Sequence, residues 1–96
     1  MASVLSEIQS LVAAGQYVFS RHAIERSELR DRPSQMEAVD ILKSGWHEQK
    51  YDEQGPDGRW KYRISGRART GKEGSVVVTV ITTTANSNRI LVITVF

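Results

Sequence analysis

The segment FSRHAIERSELR carries one imidazole and two guanidinium groups at a regular spacing. His22, Arg26 and Arg30 lie four residues apart, so a helix would place their side chains on one face. Such a face could bind phosphate, because arginine presents a planar fork of donors to phosphate oxygens, and histidine can transfer a proton at neutral pH. The alternative is a solvated helix surface on which Glu25 and Glu28 pair with the arginines.

A second group of cations follows in the second half of the chain, where six basic residues occur with no acidic residue between them: Arg59, Lys61, Arg63, Arg67, Arg69 and Lys72. In the portion RWKYRIS, basic residues alternate with aromatic or aliphatic ones. This alternation predicts a strand with Arg59, Lys61 and Arg63 on one face. An anionic ligand would relieve the repulsion among these cations. The alternatives are neutralisation by acidic residues of the preceding hairpin, or a charged edge that discourages aggregation.

The sequence argues against several other kinds of site. It has no cysteine and only two histidines, so a disulfide framework and a thiolate metal site are excluded. The segment GRARTGKEG is not a nucleotide-binding P-loop, because Glu73 stands where Ser or Thr should coordinate magnesium. Acidic residues are scattered singly. We therefore expect neither a metal nor a cofactor, and any catalysis would use acid–base and cationic groups.

Hydrophobic periodicity divides the chain into a helical part and a strand-forming part. Residues 1–16 predict a helix, and residues 17–45 predict a short strand followed by two helices. The first of these two helices would run through RHAIERSELR until Pro33 interrupts it. The second would begin at a capping box formed by Ser34 and Glu37.

Residues 46–96 predict an antiparallel meander with strands at WHEQKY, RWKYRIS, SVVVTVITTT and RILVITVF. We expect Trp60 and Tyr62 to pack against the helices. The last strand could offer an unpaired edge to a partner. The 96 residues thus predict a single α+β domain, with N-terminal helices packed on an antiparallel sheet of about four to five strands.

The N-terminal stretch MASVLSEIQSLVAAGQ lacks a basic leading region, and polar residues interrupt its apolar ones. It therefore resembles neither a signal peptide nor a membrane span. With a net charge of only +2, the composition predicts a soluble, cytoplasmic protein that does not associate with membranes.

The segment YVFSRHAIERSELR, followed by a capped helix and a meander closing on ILVITVF, resembles a small bacterial family, domain of unknown function 4258. The most specific agreement is at Phe19, Ser20, His22, Ala23, Arg26 and Arg30, and weaker agreement occurs at Gly45, Tyr62, Gly66 and Thr94. After Arg30 the segment DRPS is about one residue longer than the family pattern, which changes the predicted loop there. The family is similar to the RelE/ParE and BrnT-type toxins. Many of those are metal-independent ribonucleases with helices packed on an antiparallel sheet.

The resemblance implies a RelE-like toxin-type domain that binds RNA and could cleave it as an endoribonuclease. His22 would be the acid or base, and Arg26 and Arg63 would clamp the phosphate. Further RNA contacts would come from Arg30, Arg59, Lys61, Arg67 and Arg69, with Tyr62 as a candidate if it faces the groove. The second hypothesis is a non-catalytic interaction module whose basic groove binds an acidic, antitoxin-like protein. The sequence leaves the oligomeric state open.

Overall fold

The computed structural model describes residues 3–83 and 87–96, which form three α-helices and six strands. The helices are α1 (Val4–Ala13), α2 (Arg21–Ser27) and α3 (Gln35–Ser44). The strands are β1 (Tyr17–Phe19), β2 (Trp46–His47), β3 (Glu53–Gln54), β4 (Trp60–Arg67), β5 (Glu73–Thr82) and β6 (Asn88–Val95), and a 3-10 helix spans Gln49–Tyr51. The first two residues of the predicted N-terminal helix, and Thr84 of the predicted third strand, lie outside the described residues.

The strands are hydrogen-bonded in the order β1-β6-β5-β4-β2, and β3 pairs with the other end of β4. Strands β4, β5 and β6 form the predicted antiparallel meander. Strand β1 instead pairs in parallel with β6, with Tyr17 opposite Ile90 and Phe19 opposite Val92. The predicted α+β class is confirmed, and the sheet is mixed and has six strands.

Helix α2 is shorter than the sequence predicted. It ends at Ser27, whose hydroxyl donates to the carbonyl oxygen of Ile24 at 2.7 Å. A serine that bonds the backbone in this way competes with continuation of the helix. Turns occupy the chain from there to Arg32, and the prediction that the helix continues through Arg30 is wrong.

The predicted strand WHEQKY is also wrong beyond its first two residues. Only β2 (Trp46–His47) pairs with β4, and the chain then leaves the sheet in the 3-10 helix before β3 returns to β4. A strand continued in the β2–β4 register would place Tyr51 opposite Trp60, whereas the 3-10 helix places its ring 4.2 Å from the guanidinium carbon of Arg63.

The prediction that the last strand offers an unpaired edge is wrong as well. Strand β6 lies between β5 and β1, and within the described residues β1 and β2 are the terminal strands of the main sheet. The three residues of β1 pair with Ile90, Leu91 and Val92 of β6, and nothing local in the sequence identifies so distant a partner.

One hydrophobic core lies between the helices and the sheet. Its fully buried side chains are Ile8, Val12, Ala23, Ala38, Ile41, Leu42, Ile64, Val76, Val78, Ile90, Val92 and Val95. Because side chains alternate along β4, Lys61 and Arg63 lie on the opposite side from Ile64. We call this side the outer face of the sheet. Among the described residues, no helix is long and apolar enough to cross a membrane.

The two aromatic residues of β4 differ in their environments. Tyr62 is half-buried and packs against the core, as expected. Trp60 is 48% exposed, so the prediction that it packs against the helices is wrong. It lies at the start of β4 opposite Gln54, and β3 has only two residues there.

Candidate anion-binding site

The central feature of the outer face is a stacked arginine. The guanidinium carbon of Arg63 lies 4.2 Å from the ring centroid of Tyr51 and 4.7 Å from that of Phe96. Both distances are well within the range at which a cation is attracted to an aromatic ring. The two rings come from the 3-10 helix and from the residue that follows β6. Three separate segments therefore fix the position of one guanidinium group.

Arg63 has positive charge available for a ligand. Among the ion pairs of the described residues, none involves Arg63 or Lys61. The Nε atom of Arg63 is buried and has no hydrogen-bond partner within the described part of the chain. A buried donor without a partner is costly. The terminal guanidinium nitrogens are not among the buried unpartnered atoms, so an anion would bind there and not at Nε.

Lys61 and Arg63 share a cavity of about 270 Å³ on the outer face. Its remaining lining residues are Tyr51, Glu53, Val77, Ile93, Thr94 and Phe96. Glu53 is the one carboxylate among them and lies opposite Lys61 in the β3–β4 pairing. The lining therefore combines cationic, aromatic and aliphatic side chains, with Val77 directly opposite Arg63 in the β4–β5 pairing.

Arg32 is a further cation beside this site, although it does not line the Arg63 cavity, and the sequence did not single it out. Its guanidinium carbon lies 5.8 Å from the ring centroid of Phe96, the ring that also stacks on Arg63. Its buried Nε atom makes no hydrogen bond within the described residues, but it lies 3.9 Å from the Asp31 carboxylate. Arg32 and Phe96 are far apart in sequence, and no motif links them. The structure alone brings them together.

Three other predicted RNA-binding cations are each paired with an acidic residue. Arg67 pairs with Glu73 across the β4–β5 hairpin, Arg69 lies 3.3 Å from Asp40, and Arg59 lies 3.9 Å from Asp57. Neutralisation was the alternative interpretation of the basic stretch. Asp57 lies in the turn of the first hairpin, whereas Glu73 and Asp40 lie outside it. Arg67 and Arg69 also line cavities different from that of Arg63.

The β4–β5 turn that carries Arg69 is attached to α3. The backbone N–H of Arg69 donates to the Asp40 carboxylate at 3.1 Å, and this bond, more than the nearby guanidinium, lowers the pKa of Asp40. Thr70 donates to Glu37. The pKa of Glu37 is lowered as well, chiefly by the backbone N–H of Ser34 in the capping box. These contacts anchor the turn beside α3, away from the outer face.

The predicted group of His22, Arg26 and Arg30 is only partly assembled. His22 is exposed and Arg26 half-buried on α2, whereas Arg30 is exposed and lies three residues beyond the end of the helix. The three side chains therefore do not share one helix face. In the described residues Arg26 and Arg30 make no ion pair, so the predicted local pairing with the glutamates is not found either.

Helix α2 is attached to β6. The Ser20 hydroxyl accepts from the N–H of Ala23 and donates to the carbonyl oxygen of Ile93 at 3.0 Å. Strand β5 separates β6 from β4, so the two strands are roughly 10 Å apart. His22 does not line the cavity that contains Arg63. The structure thus does not bring His22 and Arg63 together at one cavity.

A hydrogen-bonded histidine–carboxylate pair lies on the core side of β4 and was not anticipated. His47 Nε2 is 2.7 Å from Asp52 Oδ1, and the histidine ring meets Tyr62 edge-on at 5.7 Å between centroids. Burial raises the pKa of Tyr62, and the charges of Asp52 and Glu7 add to this effect. Tyr62 does not line the cavity of Arg63, so the groove-facing role considered for it is not favoured.

Within the described residues, no group of three or more His, Asp or Glu side chains is arranged to hold a metal ion. No protein-family model matches the chain, and comparisons with curated proteins and with solved structures also find no match. Its function has therefore to be inferred from the chemistry of its own residues.

Proposed function

We propose that the protein binds RNA on the outer face of its sheet, with Arg63 and Lys61 contacting phosphate groups. The observation that carries this proposal is the Arg63 guanidinium, held between two aromatic rings without a carboxylate partner among the described residues. Stacking occupies the faces of a guanidinium and leaves its N–H groups to donate in the plane. Those donors match phosphate oxygens.

The aromatic residues at the site favour a single strand over a duplex. Tyr51 is 48% exposed and Phe96 is 43% exposed beside the arginine. Unpaired bases stack on exposed aromatic rings, whereas the bases of a duplex are already stacked on one another. The choice of RNA over DNA rests on the resemblance of the segment from Tyr17 to Arg30 to domain of unknown function 4258, a family that is similar to the RelE-like toxins.

We further propose that the protein cleaves the RNA that it binds. His22 would take the proton of a ribose 2′-hydroxyl as the 2′-oxygen bonds to phosphorus, and Arg26, one turn further along α2, would stabilise charge on the phosphate. The P–O5′ bond would break, leaving a 2′,3′-cyclic phosphate, and the 5′-oxygen would take a proton from water. Ser20, which caps α2, donates a hydrogen bond to Ile93, and Ile93 lines the Arg63 cavity. An RNA chain that leaves this cavity across β6 would therefore reach α2. Arg63 would then hold a phosphate next to the one that is cleaved.

The proposal is tested by measuring the affinity of a short, labelled single-stranded RNA for matched variants. Arg63→Gln and Arg67→Gln each remove one positive charge from β4, but Arg67 is already paired with Glu73. A charge-assisted hydrogen bond contributes about 1.5–3 kcal/mol, so Arg63→Gln should weaken binding roughly tenfold or more, while Arg67→Gln should change it less than about threefold. Equal losses in the two variants, or no RNA binding by the wild type, would overturn the proposal.

The second candidate function is a protein-interaction module. Aliphatic side chains of Val77 and Ile93 line the same cavity as the two free cations, and an acidic segment with apolar side chains would complement such a mixture. Association with an acidic protein that Arg63→Gln abolishes, together with no affinity for RNA, would favour this function.

A further inference from the structure

We propose that the hydrogen bond between His47 and Asp52 positions Tyr51 over Arg63. In this view His47 and Asp52 are positioning residues, since neither lines the cavity in which Arg63 lies. The structural part of the proposal stands by itself, and its consequence for ligand affinity rests on the proposed function.

His47 is held firmly against β4. It pairs with Ile64 at the end of β2, and its ring packs edge-on against Tyr62. The next residue, Glu48, donates its backbone N–H to the carbonyl oxygen of Arg63 at 2.9 Å. The chain therefore leaves the sheet beside Arg63 from a well-anchored point.

Asp52 is the last residue of the segment that leaves the sheet after His47. It directly follows the 3-10 helix (Gln49–Tyr51), and its carboxylate returns to His47 Nε2 at 2.7 Å. The imidazole and carboxylate side chains are only 17% and 20% exposed, so water competes weakly for this hydrogen bond. The two ends of the 3-10 helix are thereby joined.

Backbone pairing holds the flanks of the 3-10 helix, through Glu48 before it and through Glu53 of β3 after it, but its own three residues are not packed into the core. None of its residues is buried, and a single turn of 3-10 helix is marginal in water without tertiary contacts. Tyr51 is half exposed and contacts two cations through its ring, Arg63 at 4.2 Å and Lys50 at 5.3 Å. The His47–Asp52 bond is thus the main side-chain contact that keeps the ring of Tyr51 on the Arg63 guanidinium.

The first test measures the position of Tyr51 without any ligand. Protons of the Arg63 side chain are shielded by the stacked rings, so their NMR shifts report the contact. Asp52→Ala should move these shifts in the direction and to most of the extent seen in Tyr51→Ala. Asp52→Asn keeps an oxygen that accepts from His47 and should leave them close to wild type. His47→Leu keeps an apolar contact for Tyr62, removes the donor and should reproduce Asp52→Ala.

These shifts decide the structural part whatever happens with RNA. If Asp52→Ala and His47→Leu both leave the Arg63 shifts at their wild-type values while Tyr51→Ala moves them, the proposal is refuted. A dispersed amide spectrum in each variant shows that the domain is folded. If one of the two variants unfolds, the other still breaks the same hydrogen bond.

The second test asks whether the pair acts on affinity through Tyr51. Asp52→Ala should weaken binding of the short single-stranded RNA by the same factor as Tyr51→Ala, about fivefold or more if one base stacks on the ring. The double variant should bind no more weakly than Tyr51→Ala alone. Independent, multiplying losses would show that Asp52 acts by another route. If the wild type binds no RNA, the proposed function fails while the shift measurements still decide the positioning role.

Discussion

Salt titration of RNA binding counts the phosphate groups that the outer face contacts. For single strands, the logarithm of affinity falls with the logarithm of salt concentration at a slope of about −0.7 per neutralised phosphate. Lys61 and Arg63 have no acidic partner among the described residues, so they predict a slope of about −1.4. Arg32 lies 3.9 Å from the Asp31 carboxylate and is not expected to add to this slope. The paired cations are not expected to contribute: Arg59, Arg67 and Arg69.

The measurement is the dissociation constant of a short single-stranded RNA at several salt concentrations for the wild type and two variants. Arg63→Gln should flatten the slope by about 0.7, because one phosphate contact is lost. Arg67→Gln removes the same charge from the same strand and should leave the slope unchanged. A wild-type slope retained by Arg63→Gln would refute the phosphate contact. Equal flattening in both variants would show that only net charge matters.

Three further predictions concern stability and catalysis. Gly45→Ala should lower the free energy of unfolding by about 1–3 kcal/mol in a denaturant titration, because the added Cβ would overlap the carbonyl oxygen of Ser65. His22→Ala should abolish any RNA cleavage yet leave the melting temperature unchanged, since His22 is exposed, and a large loss of stability would contradict the assignment. Asp40, whose pKa is lowered in the fold by the N–H of Arg69, stabilises the protein only while ionised. The difference in melting temperature between wild type and Asp40→Asn should therefore be largest above about pH 5 and shrink as the pH falls below about 4, and a pH-independent difference would refute this.

Features that depend on neighbouring residues could be predicted from the sequence. The capping box of Ser34 and Glu37 is present with both of its hydrogen bonds, because its partners are three residues apart. The alternation in β4 correctly places Lys61 and Arg63 on the side away from Ile64, since side chains of a strand alternate whatever its partners are. The sequence therefore determined the class of the fold and one face of the candidate site.

What surrounds those cations was decided by tertiary structure. The rings of Tyr51 and Phe96 reach Arg63 from a 3-10 helix and from the end of β6, and Asp40 of α3 neutralises Arg69. Such partners are distant in sequence and are selected by chain packing, so no local pattern encodes them. The strand pairing of β1 with β6 has the same origin. Whether a cation is free or paired therefore depends on the fold as a whole, because electrostatic interactions act through distance in space.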